Sequence, residues 1–102
     1  MKIFKISQAI NDDYDTYDSA VVCAENEEDA RHIHPSPFVT HCRGEKWYGT
    51  HTVEPYEEFE TENKKRTSWV QLKEISQIEV VYIGEADEAV KRGVIVSSFN
   101  AG

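Results

Sequence analysis

SAVVCA, at residues 19–24, is followed at once by the polar segment ENEEDA, and this junction decides the fold. The first segment is a continuous run of mainly apolar residues with the length of a strand, which is typical of a strand buried on both faces. In the second segment, Asn26 is a favoured helix N-cap residue, and acids fill the first turn, where they complement the helix dipole. Ala30 and Ile33, three residues apart, share one helix face. The junction predicts a buried strand that leads into a helix over about residues 27–33.

Three further segments have strand patterns. Residues 2–7 alternate apolar and polar side chains, and residues 78–83 and 94–99 are rich in β-branched and aromatic residues. The connections from 2–7 to 19–24 and from 78–83 to 94–99 are about ten residues long, which is too short for a parallel crossover and favours two antiparallel pairs. We therefore expect an α+β domain over residues 1–102. It should have a single four-stranded sheet, mainly antiparallel or mixed, with one helix on one face, in the order β-β-α-insert-β-β.

The insert, at about residues 36–68, does not continue these patterns. It contains prolines, glycines, several aromatic residues and a cluster of acids between residues 54 and 62, and it has no sustained periodicity. An irregular loop of this length is unusual inside a compact domain. We expect the insert to be either functional or partly ordered as a hairpin of its own.

The charge of the chain limits its partners. Its 102 residues include 19 acidic and 11 basic side chains, for a net charge of −8. This disfavours direct binding to nucleic acid, which needs clustered Lys and Arg, and binding to an anionic membrane surface. It favours a protein partner with a basic surface. The first residues do not form a signal peptide, no stretch has the length of a membrane span, and two cysteines make no disulfide framework, so we expect a cytoplasmic protein.

One group of residues has the side-chain types that bind zinc. His32, His34, His41, Cys42 and His51 lie close together in the sequence. Their spacing matches no standard zinc motif, and the adjacent His41 and Cys42 cannot easily bind one ion. We favour the alternative that the first two histidines stabilise a helix C-terminus and the others are solvated. The sequence thus predicts neither a metal nor another cofactor.

Catalytic signatures are missing from the sequence. There is no Gly-x-Ser-x-Gly elbow and no glycine-rich phosphate loop. The acids of residues 12–18 lack the glycine and glutamate positions of an EF-hand. A pair of catalytic carboxylates can be drawn from the many acids in too many ways to be informative. We expect a protein that is not an enzyme.

The insert carries the best candidates for a partner-binding site. Tyr and Trp are the residue types that anchor protein interfaces, and charged residues form their rims. Trp47 and Tyr48 lie between two glycines, and we expect truncation of either side chain to weaken partner binding while folding stays nearly intact. The predicted site consists of Trp47, Tyr48, Tyr56, Glu57 and Glu58.

Several motifs resemble those of a family of small, largely uncharacterised proteins that tailed bacteriophages and prophages encode. The motifs are YDTYDSAVV at 14–22, EDAR at 28–31, IHP at 33–35, Trp69, YIGEA at 82–86, GVI at 93–95 and SFNAG at 98–102. The resemblance covers about two-thirds of the chain and leaves out residues 36–68. It implies a bacterial cytoplasmic setting and an accessory role, such as modulating a host or defence protein, and it supplies no catalytic residues.

Three functions are compatible with these features. The leading hypothesis is a non-enzymatic protein that docks on a host or defence protein with a basic surface. The first alternative is a protein that binds and sequesters a small molecule or nucleotide, which requires a pocket with convergent polar groups. The second is an acidic DNA mimic, although Lys64, Lys65 and Arg66 weaken that possibility. A co-purifying nucleotide or a single stoichiometric protein partner would discriminate the first two.

Overall fold

The computed structural model of the chain describes residues 1–12, 15–37, 39–44, 46–50, 58–60 and 68–100. Its secondary structure is mostly β with one short α-helix, so the α+β class is confirmed. The elements, in chain order, are β1 (Lys2–Ser7), β2 (Thr16–Ala24), α1 (Glu27–Arg31), β3 (Val39–Arg43), β4 (Lys46–Thr50), β5 (Glu58–Glu60), a 3-10 helix (Leu72–Gln77), β6 (Glu79–Glu85) and β7 (Gly93–Asn100).

The first sheet, which we call the main sheet, contains the four strands that the sequence predicts. Its strand order is β6-β1-β2-β7, and each neighbouring pair is antiparallel. β1 and β2 form the expected hairpin, in which Phe4 lies opposite Val22 and Ile6 lies opposite Ala20. These four side chains are buried, and they define the inner face of the sheet. The alternation in β1 thus places Phe4 and Ile6 on one side.

The structure corrects the expected neighbours of the last two strands. β6 and β7 do not pair with each other, because they lie at opposite edges, beside β1 and β2 respectively. Crossing the sheet spans three strand spacings, about 14 Å. Residues 86–92 can cover that distance, since an extended chain reaches roughly 3.3 Å per residue. The short connection therefore determines the strand direction but not whether the two strands are neighbours.

The prediction of a single sheet is wrong. Within the insert, β3, β4 and β5 form a second antiparallel sheet in the order β3-β4-β5. The possibility that the insert contains its own hairpin is confirmed by the β3–β4 pair. The second sheet packs on the main sheet, because Trp47 of β4 belongs to the same buried cluster as Phe4 and Val22.

Helix α1 begins and packs as the sequence predicts. The side chain of Asn26 accepts a hydrogen bond from the backbone N–H of Asp29, at 2.8 Å, and this is a standard N-cap contact. Ala30 and Ile33 are both buried. The helix ends at Arg31, and Pro35 lies in the segment that leads to β3. None of the described helical segments has the length and apolar character that a membrane crossing requires.

Candidate ligand-binding cavity

An open cavity of about 320 Å³ lies where both sheets and the end of α1 meet. Its walls come from residues 32–37 after the helix, from β3 and Trp47 in the second sheet, and from Arg92, Gly93 and Val94 at the start of β7. Its volume is at the lower end of the range for small-molecule sites. The fold thus assembles the cavity from residues between 32 and 47 and from residues 92–94, which are distant in sequence.

His34 is a buried wall of this cavity. Its side chain is only 4% exposed, and its ring packs edge-on against Trp47, with 5.1 Å between the ring centroids. The backbone N–H of Ser36 donates to Nδ1 at 3.0 Å, so Nδ1 is unprotonated and Nε2 carries the proton. Burial lowers the pKa of His34 from 6.5 to about 3. The ring is therefore neutral near pH 7, and Nε2–H is its hydrogen-bond donor.

Trp47 is a buried residue in the lining of the cavity and not an exposed interface residue. It is 2% exposed, and its indole N–H donates to the carbonyl oxygen of Val70 at 2.9 Å. The flanking glycine-containing sequence suggested a surface loop, but the alternation of β4 turns the indole towards the core. In this conformation a protein partner cannot contact the Trp47 side chain, and its truncation should affect folding directly.

Tyr48 lies on the opposite side of β4, next to the rim of the cavity. It pairs across the hairpin with His41, and the two rings stack with their centroids 5.9 Å apart. The guanidinium of Arg43 lies 5.1 Å from the centre of the Tyr48 ring, within the range of a cation–π contact. His41 itself lines the cavity. Tyr48 is half-buried, and its ring contacts a residue that lines the cavity without lining it itself.

The structure describes only one of the three remaining predicted site residues. Tyr56 and Glu57 lie outside the described residues, and Glu58 begins β5, where it pairs with Thr50. The acidic loop after β1 borders a different cavity, of about 310 Å³, together with the end of β7.

Arg92, which the sequence analysis did not single out, places a cation at the cavity. Its guanidinium forms an ion pair with Asp29 of α1, with Nη2 2.9 Å from one carboxylate oxygen and Nε 3.0 Å from both. The hydrogen bond from Arg92 lowers the pKa of Asp29 below its ordinary value, against the opposing effect of partial burial. The one local signal in the sequence that could have drawn attention to Arg92 was its position directly before a glycine. In the structure, Gly93 has a φ of +139°, which only glycine adopts readily.

The cavity differs in charge from the rest of the protein. Among the described residues that line it are Arg92 and three histidines, and none of them is acidic. The chain as a whole has a net charge of −8. Arginine and protonated or neutral histidine donate hydrogen bonds to anionic oxygens. The cavity is thus suited to a small ligand that carries negative charge.

Three of the five residues considered as zinc ligands line this cavity: His32, His34 and His41. Cys42 instead packs against the core, and His51 lies outside the described part of the chain. The Nδ1 atom of His32 lies 2.8 Å from the carbonyl oxygen of Glu28, which makes it a donor and not a metal ligand. Within the described ranges, no group of three or more His, Cys, Asp or Glu residues is arranged to hold a metal ion.

Comparison of the chain with family models, with curated proteins and with solved structures found no match.

Proposed function

We propose that the protein binds and sequesters a small anionic molecule, such as a nucleotide, in the cavity between its two sheets. The observation that carries this proposal is that one arginine and three histidines line the cavity, with no acidic side chain among its described lining residues, in a chain of net charge −8. Arginine forms strong, often bidentate hydrogen bonds with phosphate groups. The buried rings of Trp47 and His34 would cover the apolar part of the ligand.

A binding role suits this cavity better than a catalytic one. A general acid or base works best when its pKa is near the working pH. The pKa of His34 is lowered to about 3, so this side chain can donate a hydrogen bond near neutral pH but does not exchange protons with a substrate there. For a phage-encoded protein in the bacterial cytoplasm, sequestration of a host small molecule is an accessory role that needs no turnover.

The test is binding of a panel of nucleotides and of inorganic phosphate, measured by calorimetry and by tryptophan fluorescence. Because Trp47 lines the cavity, a bound ligand should change the tryptophan emission. Arg92→Ala should weaken binding about tenfold or more, since a charge-assisted hydrogen bond contributes about 1.5–3 kcal/mol.

The matched control is Lys91→Ala, which removes the same charge from the neighbouring exposed residue. Lys91→Ala should change the Kd by less than about twofold relative to wild type at physiological salt, because salt screens the interaction between the ligand and an exposed charge that does not contact it. Equal losses in both variants would point to non-specific attraction and would contradict a site at Arg92. Absence of binding to every ligand of the panel would remove the main support for the proposal.

Docking on a host or defence protein with a basic surface is the second candidate, and exposed apolar side chains of the main sheet favour it. Large apolar side chains of β6 and β7 are about half exposed: Val81, Ile83, Ile95, Val96 and Phe99. Val81 and Val96 share the outer face with Lys5 and Val21, which lie between them in register. Exposed apolar surface of this kind is typical of interaction sites.

The two candidates predict different variants to be inactive. If the protein docks through the outer face, Val81→Glu combined with Val96→Glu should abolish capture of one stoichiometric partner, and Arg92→Ala should not. If it acts through the cavity, the reverse pattern should hold in a binding assay with the small ligand.

A further inference from the structure

The ion pair between Asp29 and Arg92 joins two elements that are far apart in sequence. Asp29 lies in the first turn of α1, and Arg92 lies at the end of the connection that crosses the sheet from β6 to β7. The two side chains are 23% and 44% exposed, so neither is buried deeply enough to need a partner for its charge alone. Surface ion pairs contribute little to folding, so stability alone does not account for this pair.

The carboxylate of Asp29 is itself held in place by the helix start. Its Oδ2 accepts a hydrogen bond from the backbone N–H of Glu25 at 3.0 Å. Its backbone N–H donates to the side chain of Asn26 at 2.8 Å. The carboxylate therefore belongs to the capping structure of α1 and offers Arg92 a fixed acceptor.

The geometry of the pair leaves part of the guanidinium unused. Arginine has a planar fork of N–H donors on Nε, Nη1 and Nη2. Asp29 takes the Nε edge and one donor of Nη2, with distances of 2.9–3.0 Å. The donors of Nη1 and the second donor of Nη2 are not used by Asp29. Because Arg92 lines the cavity, these donors are available to a bound anion.

We infer that Asp29 is a positioning residue for ligand binding, which fixes the guanidinium of Arg92 so that its Nη1 edge binds the anionic group of the ligand. This inference rests on the proposed function and names the role of a residue that does not itself touch the ligand. A free arginine side chain loses rotamer freedom when it binds a ligand, and a guanidinium that is already held avoids that loss.

Positioning and simple electrostatics predict opposite signs for one substitution. Asp29→Asn removes a negative charge beside the cavity, so electrostatics alone would tighten the binding of an anion. If Asp29 positions Arg92, the same change weakens binding, because a neutral amide accepts fewer and weaker hydrogen bonds from the guanidinium. The sign of the change in Kd therefore separates the two explanations.

The experiment measures the Kd of AMP and of inorganic phosphate for four proteins: wild type, Asp29→Asn, Arg92→Ala and Glu27→Gln. Glu27 lies on the same helix, and its substitution removes the same charge; it pairs with Arg31, which does not line the cavity. We expect Asp29→Asn to weaken binding roughly three- to tenfold and Arg92→Ala at least as much. Glu27→Gln should bind as tightly as wild type or slightly more tightly.

A ligand-free measurement completes the test. The Nε–H resonance of Arg92 in an ¹H–¹⁵N spectrum should be protected from exchange in wild type and in Glu27→Gln, and it should lose protection in Asp29→Asn. Unchanged or tighter binding by a folded Asp29→Asn protein would overturn the positioning role while the cavity proposal stands. If Arg92→Ala binds like wild type, Arg92 is not the anion contact and the positioning role falls. If wild type binds neither probe nor any nucleotide of the panel, both proposals fail.

Discussion

Different kinds of contact stabilise the main sheet and the second sheet. In the main sheet, β1 and β2 are joined by a local connection, and their inner residues alternate regularly. In the second sheet, β3 and β4 are short, and the core residue that anchors them is Trp47, which bonds to Val70 far along the chain. The buried side chains of β1 and β2 thus follow a local alternation, whereas a long-range contact anchors the second sheet, and the cavity lies where the two sheets meet.

The largest effect should follow from removing the anchor of the second sheet. Trp47→Ala should lower the free energy of unfolding by about 3–5 kcal/mol, because it creates a cavity and leaves the Val70 carbonyl without its buried donor. Urea denaturation measures the loss. Hydrogen exchange should show that β3 and β4 amides lose protection before those of β1 and β2.

Val81→Ala is the matched truncation in the main sheet. Val81 is 47% exposed, so this variant should lose less than about 1 kcal/mol. If Val81→Ala destabilises the protein as much as Trp47→Ala does, the assignment of Trp47 as the long-range anchor is wrong.

The next effect concerns pH, through the buried histidine at the junction of the two regions. The folded-state pKa of His34 is lowered from 6.5 to about 3 by burial, so between these values the unfolded chain binds a proton that the folded chain does not. Stability should therefore be fully present above pH 6.5. It should fall with decreasing pH towards about 3, by up to ~1.4 kcal/mol per pH unit from this group.

His34→Asn is the variant that isolates this contribution, because its Oδ1 can still accept the N–H of Ser36. Its unfolding free energy should depend less steeply on pH between 4 and 6 than that of wild type, by about 1 kcal/mol per pH unit. Parallel pH profiles for the two proteins would show that His34 is not the group that titrates on unfolding.

A smaller effect than that of Trp47→Ala should come from a local contact just after β1. The side-chain oxygen of Gln8 accepts the backbone N–H groups of Ile10 and Asn11, and its amide donates to the carbonyl oxygens of Asn11 and Tyr17. Gln8→Ala should cost about 1–2 kcal/mol, because several part-buried backbone groups lose their partner. Exchange should increase in residues 8–17 and stay unchanged in β3 and β4. An increase in the second sheet would contradict the separation of the two regions.

Much of the main sheet was predictable because its signals are local. Short local patterns predict these elements: the alternation in residues 2–7, the apolar run in 19–24 and the capping residue Asn26. The edge positions of β6 and β7 were not predictable in this way. A connection of this length allows β6 and β7 to be neighbours, and it also allows them to lie on either side of two other strands. The packing of the whole sheet decides between these two arrangements.

The site was less predictable than the scaffold. Trp47 stands beside Tyr48 between two glycines, and the sequence alone does not tell which of two neighbouring aromatic side chains faces the core. A shift of one residue in strand register exchanges the two faces. The structure buries Trp47 and leaves Tyr48 half-exposed, which reverses the expected effect of truncating Trp47 on folding.

The sequence by itself determined the α+β class, the four main strands, the start of α1 and the acidic character of the chain, because each depends on short-range periodicity, capping or composition. Only the tertiary structure decided that Arg92 meets Asp29 and that His34, His41 and Trp47 line one cavity. Arg92 reaches Asp29 and the rest of the cavity lining through contacts between segments that are distant in sequence. The free energy of such contacts depends on how complete elements pack together, and no local pattern in the sequence records it.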